Sequence, residues 1–202
     1  MSFDIVKKNL EKKGYVVNVF ETAGQASDYL NQVIDQKTVG FGGSVTLEEM
    51  GLYESLSTHN ECHWHHRIPE GKTRREVLLT ANDAEIYLSS VNGLSEDGEI
   101  INIDNTGNRV AAIFFGKHSK VYLVIGKNKL AADYDSAVYR ARNIAGPLNA
   151  RRLNRKTPCA VKADRCYNCS SPDRICRGLC ALWEKPGMGE FEIILINEDM
   201  GY

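Results

Sequence analysis

The chain has 202 residues, a formal net charge of -1, 43% apolar residues and 25% charged residues. That length suits one domain with room for a full core, and the composition is that of an ordinary globular protein rather than a disordered or fibrous one. No run is long and apolar enough to span a bilayer, and the N-terminal MSFDIVKKNLEKKGY lacks the apolar core and cleavage site of a secretory signal, so a cytoplasmic protein is expected.

Helical and strand-like segments alternate along the chain. Residues 2–13 put Phe3, Ile5, Val6 and Leu10 on a rough helical stripe that Gly14 stops, and residues 15–20 read as a strand. A helix is expected over 23–35, with Ala26, Tyr29, Leu30, Val33 and Ile34 at helical spacing. Thr38–Phe41 is a short apolar strand running directly into Gly42, Gly43 and Ser44, with Thr46 as the expected N-cap of the next helix. A strand, a glycine turn and a helix start can present backbone N–H groups to an anion; a plain tight turn would read the same.

Residues 59–67, HNECHWHHR, carry four of the five histidines. Neighbours on an extended segment point to opposite faces, so this stretch reads as a polar loop with one histidine used in a site. A polar helix is expected over 70–82, and strands over 84–90 and 99–103 with a turn at 95–98. The polar run Asp104 to Arg109 then precedes an apolar VAAIFF. Residues 121–126 are almost purely apolar, as suits a central parallel strand, and end in Lys127, Asn128 and Lys129. A helix over 135–143 is expected to stop at Pro147, and a last strand lies at 191–196. This order predicts an α/β fold with an open, mostly parallel, doubly wound sheet. If the strands before them are neighbours, the polar patches at 42–46, 104–109 and 127–129 meet in one cleft.

Five of the six cysteines, Cys159, Cys166, Cys169, Cys176 and Cys180, fall within twenty-two residues, and Cys62 is remote. In a cytosolic chain such clustering points to metal ligands or redox thiols rather than disulfides. A tetrahedral zinc site usually takes two close pairs, and only Cys166 and Cys169 form one. An iron–sulfur cluster is therefore the first expectation, zinc the second, and free or redox thiols the third. Residues 140–180 hold ten Lys/Arg against two Asp/Glu, a net +8 that leaves about -9 for the remainder. Lacking the aromatic interleaving of a nucleic-acid binder, that charge is expected to offset thiolates or to attract an anionic substrate or partner. The expected organisation is an α/β domain over 1–156, a cysteine-rich metal-binding loop over 157–185, and a strand and tail over 186–202 that return to the domain.

Five motifs in order, VGFGGSVTLEEMGL, GEIINIDNTGNRVAAIFFG, VYLVIGKNKL, RARNIAGPLNARRL and TPCAVKADRCYNCSSPDRICR, resemble the LUD-domain family, the lactate-utilisation and DUF162-type proteins. The likeness spans about residues 14–180 and is to compact stand-alone members with a cysteine-rich C-terminal segment. It implies a Rossmann-like open sheet of the ribose-5-phosphate isomerase and CoA-transferase type. It also implies that Gly42, Gly43 and Ser44 contact an anionic ligand, with Asn108, Arg109 and Asn128 around it, and that Cys159, Cys166, Cys169 and Cys176 ligate a [4Fe–4S] cluster. Cys180 falls outside that pattern, and the Trp64-His65 pair marks His65 as a further participant. Gly93 stands where relatives usually have alanine. Neither the CoA-transferase glutamate nor the isomerase's catalytic set can be placed, and a shared fold does not carry a shared reaction.

Three functional readings follow. In the first, the protein is a redox or accessory component in oxidation of L-lactate or a related 2-hydroxy acid, passing electrons to a partner protein. In the second, a cluster with an open iron acts as a Lewis acid in a non-redox enzyme, with His65 or Asp104 as acid–base group and Lys127 and Arg109 holding the anion. In the third, zinc or a cluster only staples the C-terminal segment to the domain. His65, Asp104 and Lys127 are thus the catalytic candidates. The expected partners are a small anionic organic substrate, a redox protein and a second copy of the chain in a homodimer, with no nucleic acid and no membrane insertion.

Overall fold

Six strands, every neighbouring pair parallel, form the central sheet of the computed structural model, which describes residues 2–202. In spatial order they are β1 (Val16–Phe20), β10 (Glu190–Ile196), β7 (Lys120–Gly126), β4 (Ile86–Ser89), β2 (Thr38–Phe41) and β3 (Glu61–Trp64). The inner strands are apolar on both sides because both faces of the sheet are covered. Val121, Leu123, Ile125, Ile193 and Leu195 enter one core, and the alternating Tyr122, Val124, Ile194 and Ile196 enter the other.

Helices α2 (Ala23–Val33), α3 (Val45–Glu49) and α4 (Leu52–Leu56) close the second core through Ala26, Leu30, Leu47, Leu52 and Leu56. The first core is closed by α1 (Phe3–Lys12), α6 (Asn108–Phe114) and a second sheet. Helix α5 (Arg74–Asp83) packs against β2 and β3, and a Cβ at Gly40 would overlap the Ala81 carbonyl, so only glycine admits the helix backbone there.

The second sheet runs β8 (Leu130–Ala131), β5 (Gly93–Ser95), β6 (Ile100–Asp104), β9 (Gly178–Leu182). It adds to the expected parallel sheet, and β9 lies inside the segment read from sequence as a loop. Antiparallel pairing of β9 with β6 sets Cys180 opposite Asn102 and Gly178 opposite Asp104, while α9 (Pro158–Lys162) opens the segment. The cysteine-rich stretch is therefore bound to the domain by a strand ladder at its end.

The VAAIFF stretch, left unassigned from sequence, is helical in α6, because Asp104 accepts the backbone N–H groups of Arg109 and Val110 and so caps the helix start. One other expectation is corrected: Pro147 does not stop the helix before it. Helix α7 (Tyr134–Arg140) passes through a π-helical turn (Ala141–Ala145) into α8 (Gly146–Arg152), and Pro147 occupies the first turn of α8, where a missing N–H costs little.

Candidate functional site

The C-terminal ends of β2, β4 and β6, with the 3₁₀ turn Lys127–Lys129 that follows β7, open on one cleft of about 420 Å³. Of the three strands behind the polar patches, β2 and β7 are separated by β4, and β6 reaches the cleft from the second sheet. The strands are thus not neighbours, yet Gly43, Ser44, Asp104, Asn108, Arg109 and Lys129 all line the cavity. The lining contains four arginines, Arg74, Arg109, Arg152 and Arg155, and one lysine, Lys129, against one acidic side chain, Asp104, so the cleft favours anions.

Several residues singled out from sequence serve the scaffold. Lys127 is exposed and Asn128 is turned to the C-terminal residues, donating to Gly201 O at 3.1 Å and accepting from Met200 N at 3.1 Å; neither lines the cleft. Gly42 lies beneath it, where a Cβ would meet Ser89 Oγ at 2.6 Å and Tyr87 Oη at 3.0 Å. Ser44, rather than Thr46, caps α3 by accepting the Leu47 N–H. Asp104 is occupied by the backbone of α6 and by Arg109 Nε at 3.4 Å. Arg109 in turn donates to Ile103 O at 2.6 Å and Asn92 Oδ1 at 3.3 Å, which ties the end of β6 to that of β4.

His65 and His66 both line the cleft, contrary to the opposite-face expectation, because β3 ends at Trp64 and the chain turns there. His66 stacks on Trp64 with centroids 4.6 Å apart, and His65 meets His66 edge-on at 4.6 Å. Burial, followed by the charges of Arg74, His66 and Arg109, pushes the His65 pKa down to about 3. Its imidazole is neutral at physiological pH, and its buried Nδ1 has no partner among the described residues.

Ser90 and Asn92 were not among the sequence candidates, and within the 127–129 patch the expectation fell on Lys127 and Asn128 rather than Lys129. Lys129 is buried at the cleft wall, and its Nζ donates to Ser90 Oγ at 2.7 Å and Thr46 Oγ1 at 2.8 Å. Arg140 clamps the strand ends around it, donating to Asn128 O at 2.6 Å and Asn92 O at 2.7 Å. The strand-end rule located the 127–129 patch; only the 3₁₀ turn selects which lysine turns inward.

A second cavity of about 250 Å³ is lined by Cys159, Cys166, Cys169 and Cys176, whereas Cys180 on β9 lies outside its lining. Among the described residues no three or more His, Cys, Asp or Glu side chains converge closely enough to hold a single metal ion. The four thiols line one space, and soft thiolate ligands suit zinc and iron–sulfur centres alike. Donors surround them: Asn168 N–H points to Cys166 Sγ at 3.3 Å and Arg174 Nη2 to Cys176 Sγ at 3.4 Å. Ile103, Gly146, Ile175 and Cys176 line both cavities, so the two spaces share a wall. The π turn of the α7–α8 helix ends at Ala145 and delivers Gly146 into that wall.

The profile described as LUD domain matches residues 4–196. A crystal structure of a DUF162 family protein from Deinococcus radiodurans superposes with a TM-score of 0.54 at 11% identity, covering 96% of this chain and 94% of that one, which bears on the fold alone. Ribose 5-phosphate isomerase from Plasmodium falciparum superposes with a TM-score of 0.33 at 12% identity over 55% of this chain and 52% of its own, too distant a likeness to carry an argument. No functionally curated protein matches the chain. With the profile covering nearly every residue of the parallel sheet and the cleft at its strand ends, the chain belongs to the LUD-domain family.

Proposed function

We propose that Cys159, Cys166, Cys169 and Cys176 hold a [4Fe–4S] cluster, and that the protein is a redox or accessory component in oxidation of L-lactate or a related small 2-hydroxy acid bound in the cationic cleft. The observation that carries this reading is the shared wall: Cys176 and Ile175 line the four-cysteine cavity and the anion-favouring cleft together. Such a cluster supplies one-electron transfer, tuned by hydrogen bonds to its sulfurs. Four thiols around the space leave no coordination position to a substrate, which favours electron transfer over Lewis-acid chemistry.

The remaining work falls to the cleft. Arg109 spends its guanidinium on Ile103 and Asn92, so the carboxylate of the substrate falls to Arg74 and Arg152 at the rim. A neutral His65, too weakly basic to take a proton at neutral pH, orients the substrate hydroxyl by hydrogen bonding. Asp104, fully engaged as a cap, holds α6 in place.

Electron paramagnetic resonance of anaerobically purified, dithionite-reduced protein tests the reading. The expected result is a cluster signal whose g values shift when L-lactate is added. A redox-silent centre, or a signal indifferent to L-lactate at saturating concentration, would overturn it.

A further inference from the structure

We propose that Lys129 is a nucleophilic lysine that forms a reversible imine with the carbonyl carbon of a small 2-oxo carboxylate in the cleft. The inference rests on the reading of the cleft as a small-carboxylate site and is independent of the metal centre.

Thr46 Oγ1 donates its proton to Met200 O at 3.3 Å, and Ser90 Oγ donates its own to Thr46 Oγ1 at 3.4 Å. With their protons so directed, both hydroxyls accept from Lys129, at 2.8 and 2.7 Å. No carboxylate stands within salt-bridge distance of the amine among the described residues. An ammonium group has three protons to place, and this site accepts two. A neutral amine satisfies it completely, and its fourth position is then a lone pair.

Lys129 lines the cleft, while Gly201 covers it from the C-terminal side, where a Cβ would lie 3.5 Å from Nζ. A desolvated lysine beside other cations is the setting that activates an amine as nucleophile. Here burial, then Arg140 and Arg109, lower its pKa to about 7, with Glu49 acting in the opposite sense. In the step, the Nζ lone pair attacks the carbonyl carbon, the two amine protons leave with the carbonyl oxygen as water, and a C=N bond forms. No oxidant or reductant is needed, and hydrolysis restores both partners. Arg74 and Arg152 would hold the carboxylate.

Pyruvate is the probe. Wild-type protein is incubated at neutral pH with pyruvate and cyanoborohydride, the reduced adduct is located by peptide mapping, and pyruvate and L-lactate binding are measured separately by calorimetry without reductant. The expected result is one adduct per chain, on Lys129, formed at least about tenfold faster than on exposed Lys117 or Lys127. L-lactate should suppress it, and Lys129→Arg should lack it. Pyruvate binding without an adduct, or adducts spread over exposed lysines, would overturn the inference and leave the carboxylate reading standing. Failure of both acids to bind would overturn both.

Discussion

A Cβ at position 43 would stand 3.3 Å from both Cε1 and Nε2 of His65, so the glycine and the imidazole are in contact where β2 ends and the cleft begins. The backbone at Gly43 is not left-handed, so what the position requires is space. Gly43→Ala should displace His65 while changing stability by less than about 1 kcal/mol, since the loss of unfolded-chain freedom offsets part of the crowding. L-lactate affinity should fall several-fold. Calorimetry together with the His65 imidazole NMR signals checks this; an unmoved imidazole with unchanged affinity would refute it.

Lys129 ties stability to pH. Its pKa of about 7 in the folded chain lies below the ordinary lysine value, so between about pH 7 and 10.4 the unfolded chain binds more protons than the folded one. Stability due to this group therefore rises with pH across that window, and the full penalty of the buried charge is present below it. Lys129→Met removes the penalty. It should stabilise the protein by on the order of 1–3 kcal/mol below pH 7 and flatten the rise above it, at the cost of the pyruvate adduct. Urea midpoints as a function of pH provide the check.

Asp104 is predicted to be structural. Asp104→Asn keeps one acceptor oxygen but loses the charge that faces the first turn of α6, so it should cost about 0.5–2 kcal/mol. Cleft affinity for L-lactate should change less than that of Gly43→Ala. A selective loss of turnover or binding with unchanged stability would restore an acid–base role.

Arg174 donates from Nη1 to Cys169 O at 2.9 Å and from Nη2 to Cys176 Sγ at 3.4 Å. If those sulfurs carry a cluster, Arg174→Met removes a cation and an N–H···S contact that favour the reduced, more negative state. The midpoint potential should become more negative, each tenfold change in the one-electron equilibrium corresponding to about 59 mV. Potentiometric titration of the two proteins would reveal a shift of the opposite sign if the account of the sulfur environment is wrong.

How far the sequence announced this molecule varies with burial. Strands β1, β2, β4, β6, β7 and β10 were legible because their apolar runs are bounded by polar or glycine residues, and β7 and β10 are covered on both faces. Strands β3, β5, β8 and β9 were not, since each owes its extended shape to a partner remote in sequence, as Leu179 does to Ile103. The patch after β7 was located, but Lys127 and Lys129 are identical side chains in sequence, and only the turn distinguishes the exposed lysine from the buried one. Likewise, the inward turn of His65 and His66 follows from the end of the β3 ladder at Trp64, a tertiary event. Five clustered cysteines were legible from spacing, and the resemblance singled out four of them; that Cys176, beside Ile175, also lines the cleft was not legible.

The most direct test of the central claim is the iron, zinc and acid-labile sulfide content of anaerobically purified protein, with its absorption spectrum, for wild type and for single alanine variants of Cys159, Cys166, Cys169, Cys176 and Cys180. The account predicts a brown protein with about four iron and four sulfide per chain, lost in each of the first four variants and retained in Cys180→Ala. Colourless protein carrying zinc or no metal, or a cluster that survives Cys176→Ala but not Cys180→Ala, would contradict it.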